Sequence, residues 1–166
     1  MNKKIFLLIM VLCSVSIGYA LYAQHYLGMD PCPLCMVQRL IIMVMIVVAT
    51  IAYLHRGSST LVVRIYAAII FAFALFGIEV AAHHEWLTTL PLDQQPLSCG
   101  MPLALLYQDL PFSTFVHKIL AGDAECGTII WRVMGLHPPV AVIILCSIIA
   151  VLALVILVSK PKSRFN

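Results

Sequence analysis

Four stretches of this chain are long and apolar enough to fill the width of a membrane. About 20 predominantly apolar residues carry a helix across the hydrocarbon of a bilayer. Residues 5–23, 36–54, 61–82 and 139–158 each meet that requirement. Their connections are unequal: 24–35 is short, 55–60 is very short, and 83–138 is long. With 63% of its residues hydrophobic and 10% charged, against about 25% charged in a soluble average, the chain has lipid as its main solvent. The predicted fold is an all-α membrane protein, a four-transmembrane-helix bundle forming one membrane domain over residues 1–166. No internal repeat or low-complexity stretch divides it. The formal net charge of +3 is small and gives no signature of nucleic-acid binding.

The distribution of charge sets the orientation. Lysine and arginine gather on cytoplasmic connections. Lys3 and Lys4 precede the first span, Arg56 and Arg64 flank the second connection, and Lys160, Lys162 and Arg164 follow the fourth span. The opposite face carries Lys118 and Arg132, both in the long loop, where charge counts for less. Six of the seven acidic residues (Asp30, Glu85, Asp93, Asp109, Asp123 and Glu125) lie on that face too. Both termini are therefore expected in the cytoplasm, with loops 24–35 and 83–138 outside. Residues 1–23 could instead be a signal peptide ending near Gly18-Tyr19-Ala20. Their apolar run is too long for that, and removing it would disrupt the charge bias.

Cys32, Cys35, Cys99 and Cys126 all fall on the outer face, whereas Cys13 and Cys146 sit mid-span and read as small apolar packing residues. Outside the cytoplasm, thiols tend to be oxidised and paired, so two structural disulfides are the default. Three features of "GMDPCPLCMVQRL" point instead to reactivity. A disulfide across two intervening residues closes a tiny loop and gains little stability by restricting the unfolded chain. Pro33 suits a first helical turn, which puts Cys32 near the N-cap and Cys35 in the first turn, where amide donors and the helix dipole favour a thiolate. Arg39 follows Cys35 by four residues and shares its face; an arginine just inside a span is costly and usually functional, the alternative being snorkelling to headgroups. Haem attachment needs C-x-x-C-H, but residue 36 is Met. A four-cysteine zinc site is the weaker alternative, because Cys99 and Cys126 do not form a second close knuckle.

The long loop keeps its cysteines in turn-rich settings: Cys99 in "QQPLSCGMP" and Cys126 in "AGDAECGT". Between them Phe112, Phe115, Val116, Ile119 and Leu120 form one helical stripe. It is too short to span, and is expected as an amphipathic helix on the bilayer surface or packed on protein. Trp86 and Trp131 read as interface anchors; His25, His55, His117 and His137 read as ordinary loop or rim residues.

A four-span chain with P-C-x-L-C-x-x-x-R opening its second span, and two spaced cysteines in a long outer loop before its fourth, resembles the disulfide bond formation protein B (DsbB) family. These are bacterial inner-membrane thiol oxidases. The resemblance covers nearly the whole chain, including "HEWL" and "AGDAECGTIIWRVMGL". The vitamin K epoxide reductase family does related chemistry, but its C-x-x-C comes late in the chain. The DsbB resemblance implies electron flow from a periplasmic thioredoxin-like protein, DsbA, through two cysteine pairs to a membrane quinone, ubiquinone or menaquinone. It implies a Cys99–Cys126 disulfide that reoxidises DsbA and a Cys32–Cys35 pair beside the quinone. By the same resemblance Arg39 and His84 serve the quinone, although adjacent His83 competes for the second place and the loop spacing from His84 to Cys99 departs slightly from the family pattern. Glu79 and His83 share a helix face and could form a proton route; equally, Glu79 could be an acid at the rim of its span. The expected function is a protein-dithiol:quinone oxidoreductase of the bacterial inner membrane. The opposing class is a non-catalytic membrane protein whose outer face is held by structural disulfides or zinc.

Overall fold

A computed structural model of the chain describes residues 2–29, 31–55, 59–90, 113–114, 119–120 and 137–159. Four helices carry nearly all of them: α1 (Asn2–Tyr26), α2 (Pro33–Leu54), α3 (Thr60–Thr89) and α4 (Pro138–Val158). Each is long and apolar enough to cross a membrane. The protein is therefore a multi-pass, four-helix membrane protein, as the apolar runs predict. Helix α1 packs on α2, α2 on α3 and α3 on α4, while α4 closes back on α1.

The helix ends follow local chemistry rather than the lipid boundary, so the observed helices overrun the predicted spans. Helix α1 continues three residues past 23 and stops where Gly28 adopts φ 65°. That left-handed conformation suits glycine, and it lets the Met29 N–H return to the Ala23 carbonyl at 3.3 Å. Helix α3 runs seven residues past 82 and ends at Leu90, extended at φ −76°, ψ 141°. Residue 91 is proline, which pushes its predecessor out of the helical region. At ~1.5 Å per residue these 30 residues extend about 45 Å, well beyond a hydrocarbon layer of ~30 Å. The last turns of α3, including His83, His84 and Trp86, lie beyond the apolar run of residues 61–82. Helix α4 opens on Pro138 and Pro139, where a missing N–H costs nothing.

Each buried face is a stripe at helical spacing. On α3 it reads Ala67, Ile70, Ala74, Gly77, Ala81, His84, Leu87; on α2 it reads Leu34, Gln38, Ile41, Met45, Ala49, Ala52. Small residues on these stripes let the helix backbones approach closely, which is how helices associate where lipid tails are as apolar as leucine. Cys13 and Cys146 are fully buried among them, in keeping with a packing role. Large apolar side chains such as Leu8, Val11, Leu40, Val47, Ile65 and Val151 point outward, as a lipid-facing surface requires. Two polar side chains interrupt the buried stripes, Gln38 on α2 and His84 on α3. They lie toward the same end of the bundle.

The expected amphipathic helix between the loop cysteines lies mostly outside the described residues. Ser113, Thr114, Ile119 and Leu120 are helical, and Leu120 packs against the buried cluster of the bundle.

Candidate functional site

The site is built where α2 begins. Cys32 is the N-cap of α2 in extended conformation (φ −67°, ψ 165°), and Pro33 opens the first turn. A helix leaves its first N–H groups without backbone partners; here the Cys35 N–H turns back to the Cys32 Sγ at 3.4 Å. The sulfur thus takes the place that a serine or aspartate oxygen fills in an ordinary cap. The wind of the first turn also brings the two thiols together, Sγ to Sγ 3.1 Å. At that separation, about 1 Å beyond disulfide bonding distance, the two sulfurs are not bonded to each other. Cys32 is buried, and Cys35 is half-buried at the edge.

Helix α3 supplies the wall behind them. The His84 Nε2 lies 3.5 Å from the Cys32 Sγ, and its other ring nitrogen, Nδ1, lies 3.1 Å from the Gln38 amide nitrogen. His84 is fully enclosed and Gln38 is 4% exposed. Burying two such polar groups in an apolar bundle is costly unless they bond each other, and the Gln38–His84–Cys32 chain does this from one helix to the next. Of the two adjacent histidines, His84 is therefore the one at the thiols. His83 is half-buried and tilts against Trp86 at 5.7 Å between ring centroids. Trp86 itself is 55% exposed.

Arg39 sits one turn below Cys35, half-buried. Its guanidinium reaches α1, donating through one terminal nitrogen to the Gln24 Oε1 and through the other to the Ala20 carbonyl at 3.2 Å. The guanidinium is thus held by protein and ties α2 to α1. Glu79, by contrast, is exposed on α3, while His83 is half-buried. His137 is more than a rim residue, since it forms the N-cap of α4 and pairs with Glu85 of α3 at 3.0 Å. This ties together the two helices that bound the long loop. His55, at the opposite end, meets the Tyr66 hydroxyl at 3.0 Å.

Of the six residues singled out from sequence, Cys32, Cys35, Arg39 and His84 converge on one end of the bundle. Cys99 and Cys126 lie outside the described residues, as do His117, Trp131 and most of the loop. Gln38 is the member that sequence reasoning missed. Its signal was present: the buried series 34, 38, 41, 45 places an amide among leucine, isoleucine and methionine.

A dithiol capping a membrane helix, backed by a buried imidazole, defines a membrane protein of disulfide chemistry. The chain matches the family model described as "Disulfide bond formation protein DsbB" over residues 2–156. It is 43% identical over 133 residues to disulfide bond formation protein B of Acinetobacter baylyi, covering 80% of this chain and 77% of that one. Disulfide bond formation protein B 1 of Pseudomonas aeruginosa is 37% identical over 82% of this chain and 83% of its own. The Marinobacter nauticus protein is 32% identical over 98% and 96%. No solved structure matches the chain. The chain belongs to the DsbB family, and with it to the disulfide-forming oxidoreductases of membranes.

Proposed function

We propose that this protein is a quinone-dependent thiol oxidase of the bacterial inner membrane, reoxidising a DsbA-like thioredoxin-fold partner in the periplasm. The observation that carries this reading is the Cys32–Cys35 pair at the N-terminus of a span, its sulfurs 3.1 Å apart and its inner member against a buried histidine. A pair placed so is reached poorly by a soluble protein, so a second pair must relay the disulfide outward; Cys99 and Cys126 are the cysteines available on the long loop. The charge asymmetry supports termini in the cytoplasm and thiols outside.

A partner thiolate attacks Cys99 of a Cys99–Cys126 disulfide, and Cys126 leaves as a thiolate. The Cys126 thiolate attacks Cys32 of the Cys32–Cys35 disulfide, and Cys35 leaves as a thiolate in the first turn of α2. The partner's second thiolate then attacks the sulfur that links it to Cys99, so the partner leaves as a disulfide and Cys99 as a thiolate; Cys99 attacks Cys126, which restores the loop disulfide and releases Cys32. Each step forms one S–S bond and breaks one, and each proceeds because the leaving sulfur is stabilised. For Cys35 that stabilisation comes from the amide dipoles of the first turn. For Cys32 it comes from His84, which can donate or accept a proton at the sulfur while Gln38 holds the ring. The residues also fit a quinone headgroup. The half-buried Cys35 thiol and the Arg39 guanidinium lie one turn apart on one face of α2, at the hydrocarbon edge, and would hold it there. When bound, a quinone supplies an acceptor for the two electrons and two protons released as Cys32 and Cys35 rejoin.

The order of exchange is tested by a partner variant that lacks its own resolving cysteine. It should accumulate as a mixed disulfide, linked at Cys99 by mass spectrometry of the non-reduced adduct and abolished by Cys99→Ser. A link at Cys32, or an adduct that survives Cys99→Ser, overturns the relay.

A further inference from the structure

The same three atoms that flank the exchange also form a metal-ligand set. The Cys32 Sγ, Cys35 Sγ and His84 Nε2 all lie within 4.8 Å of one another. We propose that the reduced, dithiol form of this protein binds one thiophilic divalent cation, zinc or cadmium, through Cys32, Cys35 and His84, and that the bound ion holds the pair reduced. The cation is a ligand of the reduced state only, since the oxidised pair has no thiolate to offer.

The geometry favours this in three respects. First, a tetrahedral zinc with bonds of ~2.3 Å to sulfur and ~2.0–2.1 Å to nitrogen separates the two ligand atoms by about 3.5 Å. The Cys32 Sγ to His84 Nε2 distance is 3.5 Å. The two sulfurs need a separation of about 3.8 Å on the same bond lengths, so they must open from 3.1 Å. Cys35 is the half-buried member and the one with room to turn. Second, a metal-ligating histidine is almost always fixed by a bond from its other ring nitrogen. Gln38 is already placed there, 3.1 Å from Nδ1, and its amide can present oxygen to Nδ1–H by a half-turn. Third, the Cys35 N–H aimed at the Cys32 Sγ stabilises a metal-bound thiolate as well as a free one. Binding M2+ to two thiols and a neutral imidazole releases two protons and changes no oxidation state. Three protein ligands leave a fourth position for water.

Binding itself does not depend on the proposed quinone activity; only its inhibitory consequence does, so the two are tested separately. The full-length protein in detergent is reduced with a phosphine, freed of reductant under nitrogen and titrated with Cd2+. Cadmium–thiolate charge-transfer absorption should saturate at one ion per chain in the Cys99→Ser/Cys126→Ser protein and vanish when Cys32→Ser and Cys35→Ser are added to that same background. Gln38→Met should shift the midpoint about 10–100-fold to higher Cd2+, and His84→Phe at least as far. Co2+ bound to the unmutated site should show the intense visible bands of a tetrahedral thiolate complex. A signal that persists without Cys32 and Cys35, a midpoint unmoved by both Gln38→Met and His84→Phe, or an octahedral Co2+ spectrum overturns the site. In turnover, Cd2+ should inhibit protein that has been reduced beforehand and spare oxidised protein until its first cycle; equal inhibition of both overturns the state-selectivity.

Discussion

Helix α3 carries His84 to the thiols, and Gly77 decides how closely α3 can lie on α4. A methyl group added at Gly77 would stand 2.9 Å from the Cys146 Sγ and 3.5 Å from the Ile41 Cγ2. The second distance is an ordinary contact, whereas the first is about 0.6–1 Å too short against the usual 3.5–4.0 Å. Cys146 is completely enclosed, so its sulfur cannot swing away without displacing neighbours. Overpacking of this kind costs typically 1–3 kcal/mol, set against roughly 1 kcal/mol gained when alanine replaces glycine inside a helix. Gly77→Ala is therefore expected to be destabilising by about 0–2 kcal/mol. With Cys146→Ala in the background the obstructing sulfur is gone, and the same substitution should become stabilising by up to ~1 kcal/mol. The coupling between the two sites is then about 1–3 kcal/mol. Unfolding of the four proteins in mixed micelles with increasing SDS, followed by circular dichroism, measures it. Gly77 lies two turns below His84 on the same buried stripe, so thiol oxidation should slow in Gly77→Ala and recover in the double variant. Additive effects, with Gly77→Ala equally destabilising in both backgrounds, would show that this approach of α3 to α4 is not what limits residue 77.

Arg39→Ala should raise the apparent quinone KM or slow quinone reduction while loop-cysteine exchange with the partner persists; Lys should substitute only in part, lacking the planar fork that spans the Gln24 Oε1 and the Ala20 carbonyl. Unchanged quinone kinetics in folded Arg39→Ala would leave the residue only its tie between α1 and α2. Gln38→Met removes the partner of a buried ring nitrogen and should destabilise by about 1–3 kcal/mol, with Gln38→Glu retaining more activity than Met because it restores a bond to Nδ1; equal loss in both would assign Gln38 to packing alone. Periplasmic reporter fusions should be active after Asp93 or Lys118 and inactive after Ser58 or Lys162, and activity at Ser58 would reverse the orientation.

The spans were legible because lipid makes a harsh demand: about 20 apolar residues for each crossing, which residues 36–54 and 139–158 meet without ambiguity. The cap at Cys32 was legible because Pro33 marks a first turn. Helix ends were less so. Apolarity fades at residue 82, but nothing stops α3 until Pro91, and a helix has no reason to end where lipid does. His84 could be separated from His83 only by knowing which face of α3 meets α2, a matter of packing rather than of local pattern. Gln38 stands beside the more conspicuous charge of Arg39, yet an uncharged amide on a buried stripe makes an equally strict demand for a partner. Arg39 itself was read against Cys35 along its own helix; its observed partners come from α1, which no spacing within α2 could disclose.

The central claim is that electrons from a substrate dithiol leave through Cys32 and Cys35 to a quinone. It is tested most directly by mixing the purified protein in catalytic amount with a reduced thioredoxin-fold substrate and a soluble quinone, and following both the quinone and the substrate's thiols. The expected result is one quinone reduced for each disulfide formed, over many turnovers, with none in Cys32→Ser or Cys35→Ser. Disulfide formation without quinone consumption, or consumption that continues without Cys35, would contradict it.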